Sequence, residues 1–252
     1  MTETVTNTNP LNKPAFSEKR PVLAILIIQL LLLFAVSAAG AYATIKKLDY
    51  TAPVLLSFIP IALALIIYLT LRKKWGFAGF RPLSAIPQGG WKYYLPLVAV
   101  LIVIGTNGLK ALTPGEIYFF IFFTLLVGFV EETVYRGLIL NILLHKSATV
   151  AVIVSSLLFG VTHILNALSG QNAVDTTIQI VYSLAVGLSL ALLMVKNRSI
   201  VPLILFHFVH NLIQFLGNER TAIGPDLLII AILAVHCVWV GMSLRKGKAS
   251  AA

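Results

Sequence analysis

Charged residues and cysteine are both scarce in this chain. Only 11% of its 252 residues are charged, whereas a soluble domain carries about 25%. The single cysteine, Cys237, excludes an intramolecular disulfide and any multi-cysteine metal site. There is no HExxH sequence, no internal repeat and no second, soluble domain. With 58% hydrophobic residues and a mean hydropathy of +0.93, the composition indicates a chain that lies mostly in a membrane.

Long apolar runs supply the predicted membrane spans. A transmembrane helix needs about 20 predominantly apolar residues. The runs lack the alternation of barrel strands, and an open sheet would leave backbone groups unpaired in lipid. The sequence therefore predicts an all-α, polytopic transmembrane helical bundle with about eight spans. They cover residues 22–44, 52–71, 93–112, 116–144, 149–168, 174–195, 200–216 and 224–244.

Lysine and arginine are distributed unevenly between the loops. In the eight-span arrangement, 14 of the 19 lie on the side of the two tails and 4 on the other, while Arg136 lies within a span. By the positive-inside rule we expect both termini in the cytoplasm. The formal charge of +10 does not indicate nucleic-acid binding, because the basic residues are spread over short loops. Contact with membrane lipid headgroups explains them instead.

Several polar residues lie inside the apolar spans, where a central charge costs about 2.5–3.5 kcal/mol. They are Glu131, Glu132 and Arg136 in one span, His163 in the next, and His207, His210 and Asn211 in the seventh. Residues four apart share a helical face, so Glu132 can pair with Arg136. Glu131 is then the carboxylate without a cation from its own helix.

This set of side chains matches what peptide-bond hydrolysis by activated water requires. One group takes a proton from water, another positions the water, and donors stabilise the oxyanion that develops. No serine or cysteine nucleophile is needed. Ser155 and Ser156 lie about two helical turns from His163, which disfavours a serine–histidine pair.

Three short motifs carry a family resemblance. Residues 131–136 (EETVYR) fit EExxxR, residues 159–163 (FGVTH) fit FxxxH, and residues 207–211 (HFVHN) fit HxxxN. In this order they resemble the CaaX protease and bacteriocin-processing (CPBP, or Abi) family of intramembrane proteases, over about residues 115–216. Its CaaX prenyl protease 2 members cleave C-terminal tripeptides from prenylated proteins. Bacterial members are linked with bacteriocin maturation or self-immunity.

The resemblance implies a role for each candidate catalytic residue. Glu131 and His163 would activate a water in a cavity open toward the cytosol. His207 and Asn211 would stabilise the oxyanion, and Glu132 with Arg136 would hold the site together. His210 departs from the signature, and could add a ligand, tune His207 or do nothing.

A metal ion is one alternative for the chemistry. The family is commonly labelled metalloprotease, and Glu131, His163 and His207 have the ligand types of an open zinc site. A glutamate-activated water without zinc explains the same residues. The sequence therefore does not decide between a site with zinc and a site without a cofactor.

The resemblance also predicts how the chain is divided into segments. We expect a disordered cytoplasmic tail at residues 1–20, N-terminal transmembrane helices at 21–114, a catalytic transmembrane core at 115–244 and a cytoplasmic tail at 245–252. The small size and short loops look like the bacterial type, which predicts a multi-pass protein of the bacterial cell membrane. The expected partners are membrane lipid and a membrane-associated peptide or protein substrate, without nucleic acid. The sequence does not indicate an oligomeric state.

Three functions stay open at this point. An intramembrane endopeptidase, for CaaX-type processing or bacteriocin maturation or self-immunity, is the leading one. A non-catalytic bacteriocin-immunity or scaffolding protein would bind without cleaving, but it has no need for so many costly polar residues. A proton-coupled transporter would use Glu131 and Glu132 as a relay, yet the inverted repeats and broken helices of transporters are missing.

Overall fold

A computed structural model of the chain describes residues 16–168, 171–218 and 223–249. Within these ranges the backbone is helical, apart from turns and one isolated antiparallel bridge between Leu109 and Gly217. The predicted all-α transmembrane bundle is confirmed. The helices are α1 (Phe16–Lys19), α2 (Pro21–Lys46), α3 (Ala52–Leu71), α4 (Leu95–Gly105), α5 (Pro114–Glu132), α6 (Asn141–Leu144), α7 (Ala148–Thr162), α8 (Leu165–Leu168), α9 (Ala173–Asn197), α10 (Val201–Leu216) and α11 (Gly224–Ala249). The first fifteen residues of the predicted disordered tail lie outside the described residues.

The lengths of these helices bear on the predicted spans. Five helical segments are long and apolar enough to cross a membrane, namely Pro21–Lys46, Ala52–Leu71, Pro114–Leu144, Ala173–Asn197 and Gly224–Lys246. Helices α4, α7 and α10 are apolar but shorter, with 11, 15 and 16 residues. The predicted span 149–168 is interrupted, because α7 ends at Thr162 and α8 begins at Leu165. The chain is a multi-pass membrane protein, and the count of eight spans stays a prediction.

Polar caps fix where the site-bearing helices begin. At the start of α5, the Glu116 amide donates to Thr113 Oγ1 and the Thr113 amide donates to Glu116 Oε2, which is a capping box. Helix α7 begins after Ser147, whose hydroxyl accepts from the Val150 amide. These caps satisfy amides that the first helical turn leaves without partners.

Small residues allow the helices around the site to approach closely. A Cβ atom at Gly128 of α5 would lie 3.3 Å from the backbone of α10, at Ile204 O and Phe208 N. A Cβ atom at Gly187 of α9 would lie 3.2 Å from the Phe159 ring of α7. Such close approach is the usual means of packing helices in lipid. The contact at Gly128 brings His207 beside the end of α5.

A π-helical segment, Thr133–Leu140, joins α5 to α6, and all eight of its residues are buried. Side chains satisfy its displaced carbonyls. Ser155 Oγ donates to Tyr135 O at 2.8 Å, and Asn141 Nδ2 lies 3.0 Å from the carbonyl oxygens of both Arg136 and Gly137. π-Helical turns inside α-helices are frequent at functional sites. The sequence motifs did not predict this segment.

Candidate active site

Glu132 and Arg136 form an ion pair in the centre of the bundle. Arg136 Nη1 donates to Glu132 Oε1 at 2.9 Å, and both side chains are fully buried. Arg136 Nη2 donates to Gly187 O at 3.2 Å, and its guanidinium carbon lies 4.4 Å from the centre of the Phe159 ring. A buried charge is tolerated when it is paired and hydrogen-bonded. The arginine therefore ties the π-helical segment to α7 and α9.

His207 of α10 contacts both adjacent glutamates. Its Nδ1 donates to Glu132 Oε1 at 2.8 Å, and its Nε2 lies 3.5 Å from Glu131 Oε2. The Glu131 side chain keeps 16% of its surface exposed, whereas that of Glu132 is fully buried. The two carboxylates thus differ in their surroundings, because Glu132 is bonded to Arg136 and His207, whereas Glu131 retains access to solvent.

His163 is the first residue after α7. Its Nδ1 donates to the Phe159 carbonyl oxygen at 3.0 Å, so in the neutral ring Nε2 carries the lone pair. The Phe159 ring packs edge-on against both histidines, with ring centres 5.0 Å from His163 and 6.0 Å from His207. The Phe159 ring therefore contacts both imidazoles.

Asn211 is held by residues that the motifs did not identify. His210 Nδ1 donates to Asn211 Oδ1 at 3.0 Å, and the Tyr182 hydroxyl of α9 donates to His210 Nε2 at 2.6 Å. Gln214 Nε2 lies 3.1 Å from the same ring. With Oδ1 engaged by His210, the Nδ2 group of Asn211 is its remaining donor. No pattern in the sequence marked Tyr182.

A cavity of about 450 Å³ lies against these residues. This is within the range of about 300–1,000 Å³ that is usual for ligand pockets. His163, His207, His210 and Asn211 line it, together with residues of α9 and the first turn of α11. Glu131 is connected to this cavity through His207, whose Nε2 lies 3.5 Å from Glu131 Oε2, and the buried Glu132–Arg136 pair contacts the same histidine through Glu132 Oε1. The structure thus brings together all six predicted residues, from three separate helical segments.

The predicted zinc site of Glu131, His163 and His207 stays a prediction. Across residues 16–168, 171–218 and 223–249, no three His, Cys, Asp or Glu side chains are grouped so as to hold a metal ion. His163 and His207 each use Nδ1 in a hydrogen bond to an oxygen, which leaves Nε2 of each ring as the nitrogen that a metal ion could bind. We therefore derive no step from a metal.

The side chains of His236, Ser155 and Ser156 make structural contacts. His236 is buried and its Nε2 donates to Tyr93 O at 2.8 Å, as a structural histidine would. Ser155 and Ser156 donate to the backbone oxygens of Tyr135 and Val152. Neither serine is hydrogen-bonded to His163.

A comparison with protein families identifies the same part of the chain. Residues 113–213 match the family model described as type II CAAX prenyl endopeptidase Rce1-like. The matched segment contains all three motifs, so the match confirms the resemblance seen in the sequence. No curated protein matches the chain significantly.

Proposed function

Because residues 113–213 form a domain of the Rce1-like family of type II CAAX prenyl endopeptidases, we propose that this protein hydrolyses a peptide bond of a membrane-associated peptide or protein. The observation that carries the proposal is that His163, His207 and Asn211 line one cavity, while Glu131 Oε2 lies 3.5 Å from Nε2 of that same His207. An acceptor for a proton, a group that orients water and donors for an oxyanion are all present there.

Glu131 acts as the general base. It has solvent access and no cation on its own helix, whereas Glu132 is fully buried and its Oε1 accepts from both Arg136 and His207. A water held between Glu131 and His163 Nε2 gives one proton to Glu131, and its oxygen bonds to the scissile carbonyl carbon. Glu131 then passes that proton to the leaving nitrogen as the C–N bond breaks. The products are a carboxylic acid and an amine, and transfer of the second water proton from the acid to the amine leaves a carboxylate and an ammonium group.

His207 and Asn211 stabilise the oxyanion of the tetrahedral intermediate. With His207 as an imidazolium, the cluster of Glu131, Glu132, Arg136 and His207 has a net charge of zero. The Nε2–H of His207 then points away from Glu132 toward Glu131 Oε2, 3.5 Å away, and donates to the oxyanion once Glu131 has accepted the proton from water. Asn211 Nδ2 is the second donor. Removing one such donor from an oxyanion hole typically lowers kcat by about 10²–10³.

Glu132 and Arg136 are positioning residues in this mechanism. Glu132 fixes the orientation of the His207 ring through Nδ1, and Arg136 fixes Glu132 by donating to the same oxygen, Oε1. A hydrogen-bond partner on one ring nitrogen determines which nitrogen faces the substrate. Neither side chain needs to touch the scissile bond.

The experiment uses the purified full chain in lipid nanodiscs with two membrane-anchored reporters. One is a prenylated peptide with a CaaX terminus, and the other is a bacteriocin precursor peptide. Mass spectrometry of the products should show hydrolysis of at least one reporter, and His163→Ala should abolish it. Cleavage of neither reporter, or full cleavage by His163→Ala, would reject the proposal. Bacteriocin protection that survives His163→Ala would support the non-catalytic immunity alternative.

A further inference from the structure

Gln29 is a polar residue in a stretch of α2 that is otherwise apolar. Every other residue of the segment 23–34 is apolar. The Gln29 side chain is only 8% exposed and lies between Ile25 and Leu32 in the buried stripe of the helix, whereas the neighbouring Leu30 is 62% exposed. Gln29 therefore faces the interior of the helical bundle.

The Gln29 amide binds the last residue of α7, Thr162, which directly precedes His163. Gln29 Nε2 donates to Thr162 Oγ1 at 3.0 Å, and Thr162 Oγ1 donates to Leu158 O at 2.7 Å. Because a hydroxyl group has a single hydrogen, the Tyr135 hydroxyl, 2.6 Å from Thr162 Oγ1, is the donor in that contact. Thr162 thus uses its one donor and both of its acceptor positions.

Tyr135 connects these hydrogen bonds to the residues of the candidate active site. It follows Glu131 by four residues, and its side chain is buried. The Tyr135 ring packs edge-on against the Phe159 ring, with ring centres 5.3 Å apart. The Phe159 ring in turn contacts the imidazoles of His163 and His207. The contacts that begin at α2 therefore reach both histidines.

Stability alone does not explain a glutamine at this position. Gln29 Oε1 is buried and makes no hydrogen bond to any residue that the structure describes. A buried acceptor without a partner costs free energy, which offsets the gain from the bond to Thr162. An apolar side chain of similar length would avoid that cost. What the amide does provide is a fixed end of α7, the point at which His163 leaves the helix.

We propose that Gln29 is a positioning residue of the active site. By donating to Thr162 it holds the end of α7, and with it His163, in the place from which His163 and Glu131 bind the same water. The inference rests on the proposed function, and Gln29 itself touches neither the water nor the substrate. It makes α2, which lies outside the family match at residues 113–213, a part of the active-site structure.

Cleavage kinetics of Gln29→Met test the proposal. Methionine is unbranched and has three rotatable side-chain bonds like glutamine, but it has no amide. Leu30→Met is the matched control at the adjacent, exposed position. In lipid nanodiscs, with a reporter that the wild type cleaves, Gln29→Met should lower kcat by about three- to tenfold without changing KM or lowering the unfolding temperature. Leu30→Met should change none of these. A wild-type kcat for Gln29→Met, or a fall in kcat that accompanies a lower unfolding temperature, overturns the proposal.

Variants of Thr162 test whether Gln29 acts through that hydroxyl group. Thr162→Val removes the acceptor, and Thr162→Ser keeps it. Two residues that act through one hydrogen bond have non-additive effects. Gln29→Met should therefore lower kcat no further in the Thr162→Val background, but it should lower kcat in the Thr162→Ser background as it does in the wild type. Equal losses in the Thr162→Val and wild-type backgrounds would overturn the proposal.

NMR of protein labelled with ¹⁵N-histidine adds a readout that needs no cleavage. The His163 ring signals are identified by their loss in His163→Ala, and His236, which binds Tyr93 O, is the internal reference. Gln29→Met should shift the His163 signals, whereas Leu30→Met should not. Unchanged His163 signals in Gln29→Met contradict the proposal. A wild-type protein that cleaves no reporter rejects the proposed function alone, and the NMR result then decides whether Gln29 controls His163.

Discussion

His207 Nδ1 lies 2.8 Å from Glu132 Oε1, the same oxygen that accepts from Arg136 at 2.9 Å. One buried carboxylate oxygen thus joins α10 to the helical segment that carries both glutamates. This arrangement separates Glu131 from Glu132 by their surroundings, although the two are adjacent in sequence. Glu132 binds Arg136 and His207 and so holds the site together, whereas Glu131 remains available to accept a proton from water.

Glu132→Gln should reduce stability as well as activity. The change leaves the fully buried Arg136 without its counter-charge, which typically costs about 3–5 kcal/mol. Unfolding in detergent, followed by circular dichroism, measures the loss. Glu116→Gln is the matched control, because glutamine can also serve in a capping box at the start of the same helix. Wild-type stability of Glu132→Gln would contradict the buried pair.

Gly128→Ala should lower the cleavage activity, because the added methyl group pushes α5 away from α10. The new methyl group would lie 3.3 Å from Ile204 O and Phe208 N, both backbone atoms that cannot rotate away. Overpacking of this kind typically costs about 1–3 kcal/mol. The comparison is Gly40→Ala, where a Cβ atom meets nothing within 4 Å. Equal cleavage rates for the two variants would show that the separation of α5 and α10 does not control the site.

Ser155→Ala and Ser156→Ala form a natural pair for testing the π-helical segment. Ser155 donates to Tyr135 O in that segment, whereas Ser156 donates to Val152 O in its own helix. Removing a buried partner costs about 1–3 kcal/mol. We expect thermal unfolding to show a clear loss for Ser155→Ala and a smaller one for Ser156→Ala. The reverse order would be evidence against the role given to Ser155.

Tyr182→Phe should lower kcat while leaving KM near the wild-type value. The hydroxyl fixes the His210 ring that engages Asn211 Oδ1, so its loss frees the amide that stabilises the oxyanion. A hydrogen bond of about 0.5–1.5 kcal/mol corresponds to a decrease in kcat of up to about tenfold. Tyr118→Phe, at a residue that is 72% exposed, should change neither constant. A rise in KM alone would assign Tyr182 to substrate binding instead.

Activity should survive treatment with a strong metal chelator. The described histidines and carboxylates of the site are not grouped as a metal site, and the proposed mechanism uses none. Elemental analysis of the active protein, before and after dialysis against EDTA, measures bound zinc directly. Stoichiometric zinc that is lost together with activity would contradict this prediction and support the zinc site predicted from Glu131, His163 and His207.

The parts of the site that depend on local spacing were predictable from the sequence. The Glu132–Arg136 contact follows from a four-residue separation on one helix. The bond from His207 to Glu132 did not follow, because it depends on how closely α5 and α10 approach at Gly128. The involvement of Tyr182 could not be predicted from the sequence either, because Tyr182 lies on a helix without a motif and reaches the site only through helix packing.

The helix boundaries, too, were only partly predictable from the sequence. Apolar composition predicted one span at residues 149–168, but α7 ends at Thr162 and leaves His163 in a turn. The run is apolar on both sides of that turn, so hydropathy gives no signal of the break. The π-helical geometry of Thr133–Leu140 is likewise invisible to hydropathy, which separates apolar from polar segments but does not separate one kind of helix from another.

Cleavage by purified Glu131→Gln tests the central claim most directly. The variant keeps the shape of the side chain and the Glu132–Arg136–His207 contacts, but it removes the proposed base. It should unfold at the wild-type temperature and release no product from a reporter that the wild type and Glu116→Gln both cleave. A folded Glu131→Gln protein that cleaves the reporter at the wild-type rate would contradict the assignment of Glu131 as the general base.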